Sequence, residues 1–184
     1  LFLERVLTVA EAEGLLKKRG RQRTDSTHVI GYVRSLNRLE CVGRTMQKAL
    51  NALATVAPQW LQAWVPLEWY DRYEQRFEYY LLPKSAAERH QLAETIGQDG
   101  QQLLRMCESA EAPSYLQEIE AVTILQQIWT QQYAIEEGRV RWRTNAELPS
   151  HAELICSPHE PEARYCTKRD THWIGYKVHL TETC

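Results

Sequence analysis

No run of uncharged apolar residues in this 184-residue chain approaches the roughly 20 that a membrane span needs, and no charged-then-apolar leader opens it. The expectation is a soluble, unexported protein with no membrane partner. Glycine and proline are sparse, at 8 and 7 residues, which excludes collagen-like and low-complexity chains. The five cysteines, Cys41, Cys107, Cys156, Cys166 and Cys184, are odd in number, widely spread and without a CxxC pair. A disulfide framework is therefore not expected, and a reducing, cytoplasmic setting is. Strong charge of one sign is also missing: 22 Lys and Arg face 24 Asp and Glu, for a formal −2. There is no GxSxG turn for a serine nucleophile and no Gly-rich loop to cradle phosphate. What the chain does have is 43% hydrophobic residues, enough for one globular domain, or part of a larger one, burying roughly 70% of its unfolded surface.

The small net charge conceals three blocks. Residues 1–48 hold ten cations against five acids, residues 49–137 hold five against thirteen, and residues 138–184 hold seven against six. A basic opening, an acidic middle and a mildly basic end predict that the two ends share a surface facing a polyanion, with solvation of the cations as the alternative.

Apolar spacing predicts helices through most of the chain. Leu1 to Leu16 reads as helix, with Leu3, Val6, Leu7 and Ala10 on one face. Val33 to Leu53 predicts a second that ends before Pro58. A third begins near Pro66 and carries Trp69, Tyr70, Tyr73, Phe77 and Tyr80 towards Pro83. Ser85 with Glu88, and Ser114 with Gln117, have the spacing of capping boxes for two more, the first crossing a weak point at Gly97 and Gly100, the second ending at Gly138. Strands are expected at the margins: Gln22 to Val29, Arg139 to Arg143, Ala163 to Arg169, and the alternating Ile174, Tyr176, Val178 and Leu180, the last two stretches turning near Asp170 and Thr171.

Three groups could carry chemistry. Lys17, Lys18, Arg19, Arg21 and Arg23 are followed by Asp25, a pairing that suits phosphate chemistry: cations hold the polyanion and a carboxylate holds a divalent metal. Cations at a helix end and a capping Asp are the plainer explanation. His151, Cys156, His159, Cys166, His172 and His179 include one pair at a spacing zinc sites use, but not the two tight pairs of a structural zinc site. The aromatic run from Trp69 to Tyr80 could stack bases, although its helical spacing and acidic company favour core packing.

Three stretches in order, Arg23-Thr24-Asp25-Ser26-Thr27-His28-Val29, Arg34-Ser35-Leu36-Asn37-Arg38-Leu39-Glu40, and Glu162-Ala163-Arg164-Tyr165 through to Gly175-Tyr176-Lys177-Val178-His179-Leu180, resemble bacterial insertion-sequence transposases of the DDE class. The resemblance implies a fold of class α+β: a partial ribonuclease-H-like sheet with a large helical insertion between the first strand and a later β-hairpin. Residues 1–30 would be a helix, basic segment and first core strand, residues 31–138 the helical insertion, and residues 139–184 the remaining strands. Asp25 matches the first of three metal-binding carboxylates, so its implied role is catalytic and metal-ligating. Two Mg²⁺ or Mn²⁺ ions in the intact enzyme would drive strand cleavage and transfer on double-stranded DNA, and the intact enzyme could be a homodimer.

Lys17, Lys18, Arg19, Arg21, Arg23, Arg164, Lys168, Arg169 and Lys177 are the candidates for phosphate contact. The strand bearing Lys177 would neighbour that of Asp25. The second Asp and the Glu of the family have no matching positions here, since Glu182 belongs to the strand motif and Asp170 to the turn before it. The chain thus reads as an internal or truncated fragment, inactive and poorly soluble alone. A non-catalytic helical module that binds protein or DNA is the alternative.

Overall fold

The computed structural model describes residues 2–15, 22–30, 36–168 and 170–183, with the backbone alone for Phe2, for residues 22–30, for Lys168 and Lys177, and for residues 182–183. Among the described residues the fold is mixed α+β, with six α-helices and two small sheets. The helices are α1 (Phe2–Ala12), α2 (Arg38–Val56), α3 (Pro58–Gln62), α4 (Leu67–Glu74), α5 (Ala86–Glu108) and α6 (Glu120–Gln132). The strands are β1 (Gln22–Ile30), β2 (Tyr133–Glu136), β3 (Arg139–Trp142), β4 (Arg164–Lys168) and β5 (Thr171–Thr183). The chain divides into two compact units, one of residues 1–30 and 176–184 and one of residues 31–175.

The unit of residues 31–175 is built on α2, α5 and α6. Asn37 starts α2: its side chain accepts from the Glu40 amide at 2.9 Å, satisfying a backbone donor that the first turn leaves open. Val42, Met46, Ala49 and Leu53 follow at helical spacing and are all buried. They meet Ile96 and Leu103 of α5 and Leu125 and Ile128 of α6 in one core. Each such side chain stabilises the fold by roughly 1.5–3 kcal/mol relative to exposure.

Gly97 and Gly100 do not interrupt α5. A side chain at Gly97 would sit 2.4 Å from the Tyr133 ring, and one at Gly100 would sit 2.9 Å from Trp129. The glycines let two aromatic rings lie on the helix backbone. Trp129 Nε1 then donates to the Gly97 carbonyl at 2.9 Å, and the Tyr133 hydroxyl donates to the Ala93 carbonyl at 2.8 Å.

The helix before Pro58 ends as expected, but three helix expectations are revised, the first at Ser114, which opens a 3₁₀ turn (Ser114–Glu118) instead of capping α6. Pro58 opens a further short helix, α3, at its first turn, where a missing N–H costs nothing. The helix from Pro66 stops at Glu74, because the Gln47 amide captures the carbonyls of Tyr73 and Gln75 at 2.8 and 2.7 Å while Arg44 Nε holds that of Phe77 at 2.9 Å. Phe77 is thereby drawn against Gly43, whose missing side chain leaves it room. Gly138 ends no helix. It shares a two-residue turn with Glu137, at φ of 79° and 49°, and the two join β2 and β3 as an antiparallel hairpin with Glu136 opposite Arg139.

Arg38 closes this unit. Its guanidinium donates to Gln132 Oε1, Asn145 Oδ1 and the Arg143 carbonyl, each at 2.8 Å, and lies 4.2 Å over the Trp142 ring. One side chain thus ties the start of α2 to the end of α6 and to β3.

In the three-stranded sheet the order is β1-β5-β4. β4 and β5 pair antiparallel from Arg164 opposite Gly175 to Lys168 opposite Thr171, so the hairpin turns where the sequence predicts. The expected one-sided burial of β5 does not hold along its length. Trp173, Ile174 and Gly175 are all buried, whereas Leu180 is exposed. In the unit of residues 1–30 and 176–184, α1 leaves Leu3, Val6, Leu7 and Val9 exposed.

Candidate nucleic-acid interface

Asp25 and Arg23 lie on β1, and β1 is hydrogen-bonded to β5, which bears Lys177. The strands that carry the Asp-Ser-Thr and Gly-Tyr-Lys segments are therefore neighbours in one sheet. The side chains of Arg23, Asp25, Lys168 and Lys177 lie outside the description, and Lys17, Lys18, Arg19, Arg21 and Arg169 fall outside the described residues altogether. Arg164, at the start of β4, is half-buried. Its guanidinium donates to the carbonyls of Pro161 and Ala163, within its own turn.

The cations of the helical unit have other work. Arg141 bridges Glu136 at 2.6 Å and Glu147 at 2.7 Å, and this contact, with the Thr144 amide and hydroxyl, holds the Glu147 carboxyl well below the usual carboxylate range. Arg143 Nε donates to the Tyr133 carbonyl at 2.8 Å. Arg44 pairs with the buried Glu40 at 3.1 Å, and Lys48 holds the Pro158 carbonyl at 2.9 Å. The phosphate-facing row that alternation at residues 139–143 allows is therefore bound into the fold at Arg141 and Arg143. A sequence shows alternating cations but not the carbonyls and carboxylates that meet them.

Divalent-metal chemistry needs several oxygen ligands, because Mg²⁺ demands near-octahedral coordination and parts with its water reluctantly. Among the described residues no group of three His, Cys, Asp or Glu side chains is placed to hold an ion. Asp25 is the one carboxylate on β1. The residues described do not assemble such a site.

Two members of the His and Cys cluster pack against one tyrosine. The His151 and His172 rings lie 5.2 and 5.8 Å from that of Tyr165, and Thr167 Oγ1 is 3.2 Å from His172 Nδ1. Burial pushes the Cys41 thiol up to about 12 and the Cys107 thiol up to about 11, which leaves neither as a nucleophile at neutral pH. The aromatic run divides: Trp69, Tyr73 and Phe77 are core, while Tyr70, Tyr79 and Tyr80 are exposed.

One charged cluster escaped the sequence reading. Asp99, in the middle of α5 and nearly buried, accepts from the Tyr73 hydroxyl at 2.6 Å, from Arg72 and from Trp69. Desolvation outweighs these bonds and moves its carboxyl above the usual value. Spacing gives no sign of it, since Arg72 and Asp99 are 27 residues apart.

Comparison of the chain with family models, with curated proteins and with solved structures finds no match in any of the three. No described helix is long and apolar enough to cross a membrane.

Proposed function

We propose that the chain is part of a DDE-class insertion-sequence transposase, its sheet a portion of a ribonuclease-H-like core and its helical unit an insertion within that core. The intact enzyme would cut and join double-stranded DNA with Mg²⁺ or Mn²⁺, and Asp25 would be one ligand. The observation that carries this reading is the strand order β1-β5-β4. It sets the strand of Asp25 beside that of Lys177, although more than a hundred residues, about half of them helical, separate them in sequence. An independent helical module would not need its first strand to pair with its last.

The cations of residues 17–23, with Lys168, Arg169 and Lys177, would grip the phosphate backbone. Arg164 would have to leave its turn carbonyls to join them. Asp25 alone matches a family carboxylate, so this chain by itself would bind DNA without cleaving it.

Filter binding of the 184-residue chain to duplex DNA across a salt titration tests this. Eight phosphate contacts predict a loss of affinity of roughly 10⁴-fold between about 50 and 200 mM salt. Changing Lys17, Lys18 and Arg19 to Gln should reduce the slope by about one per lost contact. Absence of binding at low salt would favour the alternative, a non-catalytic helical module that binds protein. Nicking of plasmid DNA by the chain would overturn the expectation that it cannot cleave alone, and nicking that persisted in Asp25→Ala would overturn the role given to Asp25 as well.

A further inference from the structure

The helical unit contains a cleft of about 460 Å³ between α2, α3 and α4, within the size range of small-molecule sites. Each wall contributes residues at helical spacing: Leu50 and Ala54 from α2, Leu61 and Val65 from α3 and the loop after it, Trp69 and Tyr70 from α4. The walls are firm. Trp69 is 3% exposed and stands edge-on to both Trp64 and Tyr73, at ring separations of 5.7 and 6.0 Å, and the Gln47 amide pins the C-terminal end of α4 to α2.

The charge around the cleft is one-sided. From Ala49 to Leu67 the sequence has no charged side chain, and Glu74 is the one charged group on the cleft wall. Glu74 is exposed and has no ion-pair partner among the described residues. Glu68 and Asp71 on the same helix add to the negative field, while its one cation, Arg72, is engaged by Asp99 of α5. Arg76, past the end of α4, faces Glu78 at 4.0 Å. An anion would be repelled by Glu74, and a neutral apolar molecule would gain nothing from it. A cation with an apolar body satisfies both features, since charge-assisted bonds to a carboxylate are the strong ones and aromatic walls favour organic cations.

We propose that this cleft is a binding site for a small organic cation, an amine or quaternary ammonium group at Glu74 with an apolar body against Trp69, Tyr70 and the α2–α3 wall. The site is separate from the sheet residues assigned to DNA and stands or falls without them.

Three probes of one skeleton test it: 4-phenylbutylammonium, 4-phenylbutan-1-ol and 4-phenylbutyrate, titrated against the full 184-residue chain by saturation-transfer NMR and tryptophan fluorescence. The ammonium should bind about tenfold more tightly than the alcohol, and the carboxylate more weakly than either. In Glu74→Gln, a surface change that leaves the core intact, the ammonium should fall to the level of the alcohol while the alcohol is unchanged. Ala54→Trp, at an exposed position on the α2 wall, should remove binding of all three with the melting temperature preserved. Equal binding of the three probes, an ammonium preference that survives Glu74→Gln, or binding of none would overturn the proposal. So would concentration-dependent self-association abolished by Ala54→Trp, which would make a second copy of the chain the occupant.

Discussion

In the unit of residues 31–175, six cations are bound into the fold: Arg38, Arg44, Lys48, Arg72, Arg141 and Arg143 each end on a carbonyl, a carboxylate or a side-chain amide of the same unit, while Arg76, Lys84, Arg105 and Arg139 are exposed. In the unit of residues 1–30 and 176–184, the described side chains of α1 and the far end of β5 leave Leu3, Val6, Leu7, Val9 and Leu180 exposed. The first unit binds these charges internally and owns a core. The second leaves these apolar side chains uncovered among the described residues. A charge count over the whole chain, near zero, hides this contrast. Where cations are committed matters more to function than how many there are.

The sharpest way to break the contrast is to hollow out the core. Leu103→Ala removes a side chain with no exposed surface and should destabilise the helical unit by about 3–4 kcal/mol, read as one cooperative loss of helical circular dichroism in urea. A gradual loss would mean that the unit is not a single core. Gly97→Ala, which forces a methyl group against Tyr133, should cost about 2 kcal/mol by the same measurement.

Arg72→Ala leaves Asp99 without its countercharge and should cost about 2 kcal/mol at pH 7, discounted from a fully buried pair because Arg72 is partly exposed. The pH dependence has a definite sign. The folded-state pKa of Asp99 lies above its unfolded value, so its contribution is fully present below about pH 4 and declines as pH rises through the folded value. Losing Arg72 raises that pKa further. Urea titrations should therefore separate wild type and variant more at pH 7 than at pH 4, and equal separation would sink the account.

Smaller effects sharpen the picture locally. Cys41 and Cys107, with thiols at about 12 and about 11, should resist alkylation at pH 7.5 until urea opens the helical unit, as located by mass spectrometry. Burial, Lys48 and Arg44 lower the pKa of His159, so the stability it supports is present above about pH 6.5 and lost as pH falls through its folded value. His159→Gln should flatten that slope only slightly, because the ring is largely exposed and solvent screens it.

What the sequence made legible was local. Ser85 and Glu88 announced the start of α5, and alternation with a turn at Asp170 announced the β4–β5 hairpin, because caps and pleats act over a few residues. Gly138 was misread, since a glycine after an apolar helical stretch fits a helix end and a hairpin turn equally well, and only the pairing of Tyr133 with Trp142 decides between them. Gly97 and Gly100 read as weakness because the rings that need their bareness arrive some thirty residues later. Of the candidate interface, the neighbouring strands of Asp25 and Lys177 were anticipated by resemblance, whereas the Arg72–Asp99 cluster and the α2–α4 cleft depend on chain crossings that no spacing encodes.

The bracket formed by Arg38 also bears on how the protein is made. Its three acceptors lie 94, 105 and 107 residues further along the chain. A ribosome adding about 5–20 residues per second reaches them some 5–20 seconds after Arg38 is synthesised. Until then α3, α4 and α5 can gather on the nascent α2, but α6 cannot close the core over it, so completion of the helical unit waits on the last third of the chain.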